Sequence, residues 1–182
     1  MLNRLVAPVG FIVTLMALAF VIQTLGNSRP ANKALIGSKL LKQYEVVEVT
    51  PPLAIVTDQN NKKIDLRLQL TKPTLITFWS VNCGQCDIGL PILDNFTKDQ
   101  NQIELILINT KDEPKDSQEK LQSLGVTLGT FYDLDGSIFR NWEATMPASY
   151  YVVNGKVKYF FPGRIAKDHL DALSTGEYPQ SK

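Results

Sequence analysis

The chain has 182 residues, of which 44% are hydrophobic and 20% are charged, a composition typical of one globular domain. Its 19 Lys and Arg residues nearly balance 18 Asp and Glu residues, and the net charge of +1 argues against binding to nucleic-acid phosphates. Two cysteines and one histidine are too few for a structural zinc site of about four protein ligands, and they exclude a framework of several disulfides.

The N-terminal segment is predicted to anchor the chain in a membrane. Leu5 to Leu25 contains no charged side chain and provides about the 20 residues that a helix needs to cross a bilayer. This stretch exceeds the roughly 7–15 apolar residues of a cleavable signal peptide, and only a weak processing site follows it. We therefore predict an uncleaved transmembrane signal-anchor over residues 1–26, a linker with a short helix over 27–43 and a folded domain over 44–182.

Two short apolar runs define the core of that domain. Thr74 to Trp79 and Ile103 to Ile108 are bounded by polar residues, as expected for strands buried on both faces of a parallel sheet. A helix between them is predicted from the helical spacing of Ile88, Ile92, Leu93 and Phe96. Together these segments form a βαβ unit. The earlier stretch Leu53 to Thr57 is also β-prone.

The C-terminal half predicts a helix, a hairpin and a closing helix. The mixed-sign residues 111–113 are interpreted as a solvated loop, and Pro114 to Leu124 begins like a helix. Asn154 and Gly155 separate two β-prone runs, which favours a two-residue hairpin turn with positive φ at both positions. The closing amphipathic helix is indicated by the spacing of Ile165, Ala166, Leu170 and Leu173.

The chemistry of the chain centres on Cys83 and Cys86, which flank Gly84 and Gln85. They follow a predicted strand and begin a predicted helix, so Cys83 is expected at or just before the first helical turn. Free backbone N–H groups and the helix dipole stabilise an anion there, and a thiolate is the form that attacks disulfides. Cys86, one turn further, can resolve a mixed disulfide by attacking Cys83. Half of a zinc site has the same spacing, but the strand-to-helix position favours redox chemistry.

A family resemblance supports this interpretation. Phe78 to Cys86 reads FWSVNCGQC and is followed by Pro91; it resembles the active-site segment of thioredoxin-like proteins, particularly the membrane-anchored TlpA/ResA-like thiol–disulfide oxidoreductases. Asp133 to Gly136 resembles the Asp-x-Asp-Gly turn of this family. The resemblance covers roughly residues 45 to 175. It implies a thioredoxin fold, an α/β architecture with a central mixed β-sheet flanked by helices, behind an N-terminal transmembrane helix.

The resemblance also implies an activity and a set of site residues. The activity is dithiol–disulfide exchange with exported protein substrates, in the reducing direction, with no cofactor, no metal and a membrane reductant that recharges the pair. The implied assignments are catalysis by Cys83 and Cys86, redox tuning by Gly84 and Gln85, and substrate positioning by Met146 and Pro147. The peptide bond before that proline is expected to be cis.

The compartment implied by the resemblance is the extracytoplasmic, periplasmic side of the inner membrane. A very short N-terminal tail and a signal-like layout favour export of the folded domain. The flanking charges do not, because Arg4 precedes the apolar stretch whereas Arg29, Lys33 and Lys39 follow it.

Three residues depart from the family pattern. Asn82 replaces the Trp that commonly precedes the first cysteine, and Gln85 replaces the common Pro between the cysteines. Thr77 occupies the strand position where thioredoxins carry a buried Asp that shuttles a proton. The proton acceptor for the second cysteine is therefore open; Asp87 and Glu143 are candidates, although both are interpreted as surface carboxylates.

Other functions of the same fold stay open. A copper-binding chaperone resembling the Sco proteins would use both thiolates, with His169 as a third ligand, but such proteins space their cysteines by three residues. A peroxidase of the peroxiredoxin type needs a Pro-x-x-x-[Thr/Ser]-x-x-Cys segment, which residues 76 to 83 do not match. The oxidase and isomerase directions also stay open, because the potentials of such proteins range from about −270 to −120 mV. His169 itself is interpreted as a surface or rim residue, and Trp79 and Trp142 as packing residues.

Overall fold

The computed structural model describes residues 49–176. The signal-anchor predicted over residues 1–26 and the linker predicted over 27–43 lie outside the described residues. Between residues 49 and 176, no helix combines the length and the apolar character needed to cross a membrane. The elements in chain order are β1 (Ile55–Thr57), β2 (Lys63–Asp65), β3 (Thr74–Trp79), α1 (Gly84–Asp99), β4 (Glu104–Thr110), α2 (Pro114–Ser123), β5 (Thr130–Asp133), α3 (Ser137–Asn141), β6 (Ala148–Val153), β7 (Lys156–Pro162) and α4 (Lys167–Thr175).

The strands form one seven-stranded mixed sheet in the order β2-β1-β5-β4-β3-β6-β7. The central strands β3, β4 and β5 are parallel, and the predicted βαβ unit is β3-α1-β4. All six residues of β3 are buried, which explains why its sequence is apolar without alternation. On one side β6 pairs antiparallel with β3, and β7 pairs antiparallel with β6. On the other side β1 pairs antiparallel with β5, and β2 pairs antiparallel with β1. The thioredoxin-like α/β fold is therefore confirmed.

The hairpin and the helices of the C-terminal half also agree with the sequence. Asn154 and Gly155 connect β6 to β7, with φ values of 51° and 68°, as the turn requires. Helix α2 begins at Pro114, where proline occupies one of the first helical positions. The closing helix α4 buries Leu170 and Leu173.

The sheet separates two apolar clusters. Ile76 and Phe78 point to one face, where Phe78 packs within 5.9 Å of both Trp142 and Tyr150, measured between ring centroids. Leu75 and Trp79 point to the other face, because side chains alternate along a strand. This second cluster includes side chains from α1 and α4, among them the buried Cys86 of α1. The site thus lies on the α1 face of the sheet.

Helix α1 forms where the sequence predicted a helix, and its buried face includes Cys86. Cys86, Leu90 and Leu93 face the sheet, whereas Ile88 is 52% exposed. The helix begins at the cysteine pair, and burial of the second cysteine fixes which stripe of the helix faces inward. Residues at intervals of three and four from Cys86 are then buried, and Ile88 falls outside that stripe.

Strand β5 and the short helix α3 were not predicted. The side chain of Asp133, at the end of β5, accepts hydrogen bonds from the backbone N–H groups of Ile138 (3.1 Å) and Phe139 (2.8 Å) and so holds the start of α3. Burial raises the pKa of Asp133. Gly136 sits in this turn with φ of 68°, in the left-handed region that favours glycine because it has no Cβ.

Candidate active site

Cys83 lies at the junction between β3 and α1, as predicted. It is the N-cap of the helix, with extended backbone angles, and its Sγ accepts a hydrogen bond from the backbone N–H of Cys86 at 3.2 Å. This sulfur therefore lies at the helix N-terminus, near the backbone N–H groups of the first turn and the positive end of the helix dipole. Such surroundings stabilise a thiolate, which is the nucleophile in disulfide exchange.

The two cysteines are joined by a disulfide and differ in exposure. Their Cα atoms lie 5.2 Å apart. Cys83 is partly exposed, whereas Cys86 is 2% exposed and packs in the apolar cluster beside α1. A protein partner can reach Cys83, and Cys86 can be reached only by Cys83 or by a rearrangement. Gly84 and Gln85, between them, are exposed.

The segment that leads into Cys83 is held by a neighbouring loop. The backbone N–H of Val81 donates to the Oδ2 atom of Asp112 at 2.7 Å, and the side-chain nitrogen of Asn109 donates to the same oxygen at 2.9 Å. Residues 111–113 form a loop, as predicted, and the partly exposed Asp112 in addition holds the segment before Cys83. Its neighbours Lys111 and Glu113 are exposed.

Met146 and Pro147 lie on the strand side of the cysteine pair. The peptide bond between them is cis, as the resemblance implied. Pro147 is buried and lines a small cavity together with Cys86, and its carbonyl accepts a hydrogen bond from the N–H of Gly163 at 2.9 Å. Met146 packs against the cluster that contains the cysteines. Pro147 thus lies beside Cys86, and the substrate-positioning role of Met146 and Pro147 stays a prediction.

Two hydroxyl groups line a small cavity beside Cys86. The cavity has a volume of about 10 Å³, close to the smallest space that holds one water molecule. Thr77 and Ser149 line it, and their hydroxyl oxygens lie 2.8 Å apart. Sequence analysis identified Thr77 as a departure from the family but missed Ser149, whose only signal was its position two residues after Pro147.

Neither carboxylate considered as a proton acceptor lines this cavity. Asp87, in the first turn of α1, forms an ion pair with Lys120 of α2, with 2.8 Å between nitrogen and oxygen. Glu143 is exposed and follows α3 in a left-handed conformation with φ of 49°. Both therefore fit their interpretation as carboxylates of the protein surface.

The remaining candidates are packing residues. Trp79 is fully buried, lines the same cavity, and donates its indole N–H to the hydroxyl of Thr130 at 3.0 Å. Trp142 is buried in the opposite cluster. His169 is partly buried against Phe161, with 5.4 Å between ring centroids. Over residues 49–176, no group of three or more His, Cys, Asp or Glu side chains is placed to hold a metal ion.

Comparison with known proteins gives a consistent set of relatives. The chain is 29% identical to the thiol-disulfide oxidoreductase YkuV of Bacillus subtilis over 100 residues, which cover 50% of this chain and 68% of that protein. It is 22% identical to the thiol-disulfide oxidoreductase ResA of the same organism over 134 residues, covering 69% and 75%. It is also 32% identical to a thioredoxin of Rickettsia prowazekii over 65 residues, which cover 35% of this chain and 60% of that one. No protein-family model matches the chain.

Solved structures support the fold. StoA from Bacillus subtilis superposes with a TM-score of 0.56 at 16% identity, covering 69% of this chain and 96% of that one. The thioredoxin domain of a thiol-disulfide oxidoreductase from Bacteroides vulgatus gives a TM-score of 0.62 at 14% identity, covering 74% and 100%. With a Cys-x-x-Cys disulfide at the start of α1 and a cis proline beside it, the chain has a thioredoxin-like fold and is similar to TlpA/ResA-like thiol–disulfide oxidoreductases.

Proposed function

We propose that this enzyme reduces disulfides of exported proteins from a membrane anchor formed by residues 1–26. The observation that carries the proposal is the unequal exposure of the two sulfurs. A partly exposed Cys83 at a helix N-terminus can attack a client disulfide, and the buried Cys86 behind it can release the client.

The bonds and electrons of the exchange balance over four sulfur atoms, two from the enzyme and two from the client. The Cys83 thiolate attacks one sulfur of the client disulfide, forms a mixed disulfide, and releases the first client thiol. Cys86 then attacks Cys83, the Cys83–Cys86 disulfide forms, and the second client thiol leaves. The client gains two electrons and the enzyme loses two, so a thiol reductant at the membrane must restore the dithiol before another cycle.

The geometry supports binding of an extended client segment beside Met146 and Pro147. Pro147 lines the cavity beside Cys86, Met146 packs against the same apolar cluster, and β6 begins directly after them. Gly84 and Gln85 form the exposed surface between the cysteines and are expected to tune the potential, because they surround the sulfur that changes charge.

The first test of direction is the equilibrium reduction potential of the full chain in detergent. The oxidised fraction is measured by alkylation and mass spectrometry in dithiothreitol and glutathione buffers. We expect a two-electron transition at or below about −230 mV, the range of thioredoxins and of the more reducing glutaredoxins. A value near −120 mV would make the enzyme an oxidant, and failure to form a Cys83–Cys86 disulfide would overturn the exchange mechanism.

A second test identifies the attacking sulfur and the clients. The Cys86→Ser variant is expected to accumulate mixed disulfides with exported proteins, because the resolving thiol is missing. The matched Cys83→Ser variant carries the same substitution at the other sulfur and should accumulate few or none. Equal trapping by both variants, or trapping of cytoplasmic proteins alone, would contradict the proposal.

A further inference from the structure

Thr77 and Ser149 form a buried hydroxyl pair in the centre of the sheet. They are directly opposite each other in the antiparallel pairing of β3 with β6. Their side-chain oxygens lie 2.8 Å apart, and the residues are 4% and 1% exposed. The two positions are 72 residues apart in sequence, so only the strand register brings them together.

The pair faces Cys86. Thr77 shares its face of β3 with Leu75 and Trp79, which belong to the same apolar cluster as Cys86. Both hydroxyl-bearing residues line the small cavity that Cys86 also lines. The pair therefore places two hydroxyl groups beside the buried sulfur, in a cavity whose other polar lining side chains are those of Gln85 and Arg164 among the described residues.

One hydrogen of this pair has no acceptor among the residues that the structure describes. Each hydroxyl carries one hydrogen, and the bond between Thr77 and Ser149 uses one of the two. Across residues 49–176, neither hydroxyl makes another hydrogen bond within the chain. The second hydrogen is thus available to an acceptor in the cavity, which has room for about one water molecule.

Cys86 becomes such an acceptor during the exchange. To attack Cys83 in a mixed disulfide, Cys86 must lose its proton, and burial in apolar surroundings disfavours the resulting charge. A hydrogen bond from a neutral hydroxyl to the sulfur favours the thiolate without adding a second negative charge. Among residues 49–176, no carboxylate lines the cavity, and Arg164 is the one charged residue that does.

We propose that the Thr77–Ser149 pair positions and stabilises the Cys86 thiolate by donating the free hydroxyl hydrogen across the cavity. The proposal rests on the dithiol–disulfide exchange described above and concerns its second step. The Cys86 proton passes to solvent, Cys86 displaces the client sulfur from Cys83, and the departing client thiolate takes a proton from solvent. The hydroxyls donate a hydrogen bond throughout and are not consumed.

The test separates the two steps of the exchange in the full-length reduced enzyme. Rapid mixing with the aromatic disulfide dithiobis(nitrobenzoate) releases one coloured thiolate when Cys83 attacks and a second when Cys86 resolves the mixed disulfide. The Cys86→Ser variant should give the first release alone, which assigns the second release to Cys86. Thr77→Val, which removes the hydroxyl and keeps the shape, is expected to slow the second release about tenfold and to leave the first within about twofold, as loss of one charge-assisted hydrogen bond predicts.

Two further variants distinguish this effect from a general loss of structure. Thr77→Ser keeps a hydroxyl and should restore most of the second rate. Thr74→Val is the matched control, because Thr74 is also a buried residue of β3 and its hydroxyl donates to the carbonyl of Lys72 at 2.8 Å. This variant should leave both rates unchanged. An unchanged second rate in Thr77→Val, or an equal slowing in Thr74→Val, would overturn the hydroxyl proposal alone. Absence of a second release in the unsubstituted enzyme would instead overturn the exchange mechanism.

Discussion

The Asp112 carboxylate connects the loop after β4 to the segment that presents Cys83. Replacing it with alanine removes the acceptor of the Val81 N–H and of the Asn109 side chain. We expect Asp112→Ala to lower the free energy of unfolding by about 1–2 kcal/mol, since the bonds to this partly exposed carboxylate are charge-assisted. The attack of Cys83 on dithiobis(nitrobenzoate) should also slow, because the segment before it is less well fixed.

Urea unfolding and the first phase of thiolate release measure the two effects of Asp112→Ala. Glu113→Ala provides the matched control, since Glu113 is exposed and its side chain makes no capping hydrogen bond. If both variants behave alike, the carboxylate of Asp112 does not position the cysteine segment.

Prediction of individual residues from the sequence succeeded where the chemistry is local. The position of Cys83 at the helix start follows from a few neighbouring residues, and so does the turn at Asn154. Asp112 and Ser149 act through partners 31 and 72 residues away. Which side chains meet over such distances depends on loop conformation and strand register, neither of which a single sequence specifies.

The C-terminal half of α1 is tied to the loop before β5 by one buried carboxylate. Asp94 accepts hydrogen bonds from the backbone N–H of Thr127 (2.8 Å), from its hydroxyl (2.9 Å) and from the N–H of Leu128 (3.1 Å), and it pairs with Lys98. Burial raises the pKa of Asp94, but the bonds from Lys98 and Thr127 outweigh it, so the net pKa is lowered.

The stability that Asp94 provides should therefore depend on pH. A lowered pKa in the folded state means that this stability is present above the pKa of the unfolded chain and is lost as the pH falls below about 4. We expect Asp94→Asn to reduce the free energy of unfolding by about 1–3 kcal/mol at pH 7 and by less at pH 3. Urea unfolding at the two pH values measures the difference.

The stability contribution of Asp133 should depend on pH in the opposite direction, so this residue serves as the comparison. Its pKa is raised by burial, so protonation favours the folded state, and its contribution to stability declines as the pH rises through the folded pKa. The cost of Asp133→Asn should then be larger at pH 3 than at pH 7. Parallel pH profiles for the two variants would contradict the assignment of both carboxylates.

The sequence predicted the helices and strands that have a clear sequence pattern, and it missed those whose pattern is weak. Strand β3 and helix α2 follow from a buried apolar run and from a proline start. Strand β2 is three residues long with two charged side chains, and β5 has four residues. Each is held in place by its neighbouring strands, so the tertiary structure and not the local sequence determines it.

At the scale of the whole molecule, the membrane anchor remains a prediction from residues 1–26. If it is correct, the full chain should stay in the membrane fraction after extraction with alkaline carbonate. In intact spheroplasts, a membrane-impermeant maleimide should label Cys83 of the Cys86→Ser variant after mild reduction. A gel shift of the labelled protein measures the labelling of Cys83. The Cys83→Ser variant, which keeps only the buried Cys86, is the control.

Labelling that occurs only after lysis would place the redox domain on the cytoplasmic side and overturn the proposed compartment. Release of the chain by carbonate would overturn the anchor. These two results are independent, since an anchored domain can face either side of the membrane, and the charges around the apolar stretch do not favour the exported orientation.

The burial of Cys86 behind Cys83 has a consequence for the order of encounters. Electrons enter and leave the domain through one accessible atom, whichever way they flow. The donor and the recipient must therefore occupy the same surface in turn, and no ternary complex can carry the reaction. The donor and the recipient therefore compete for one binding surface, so a large excess of either partner slows the cycle by keeping the other away.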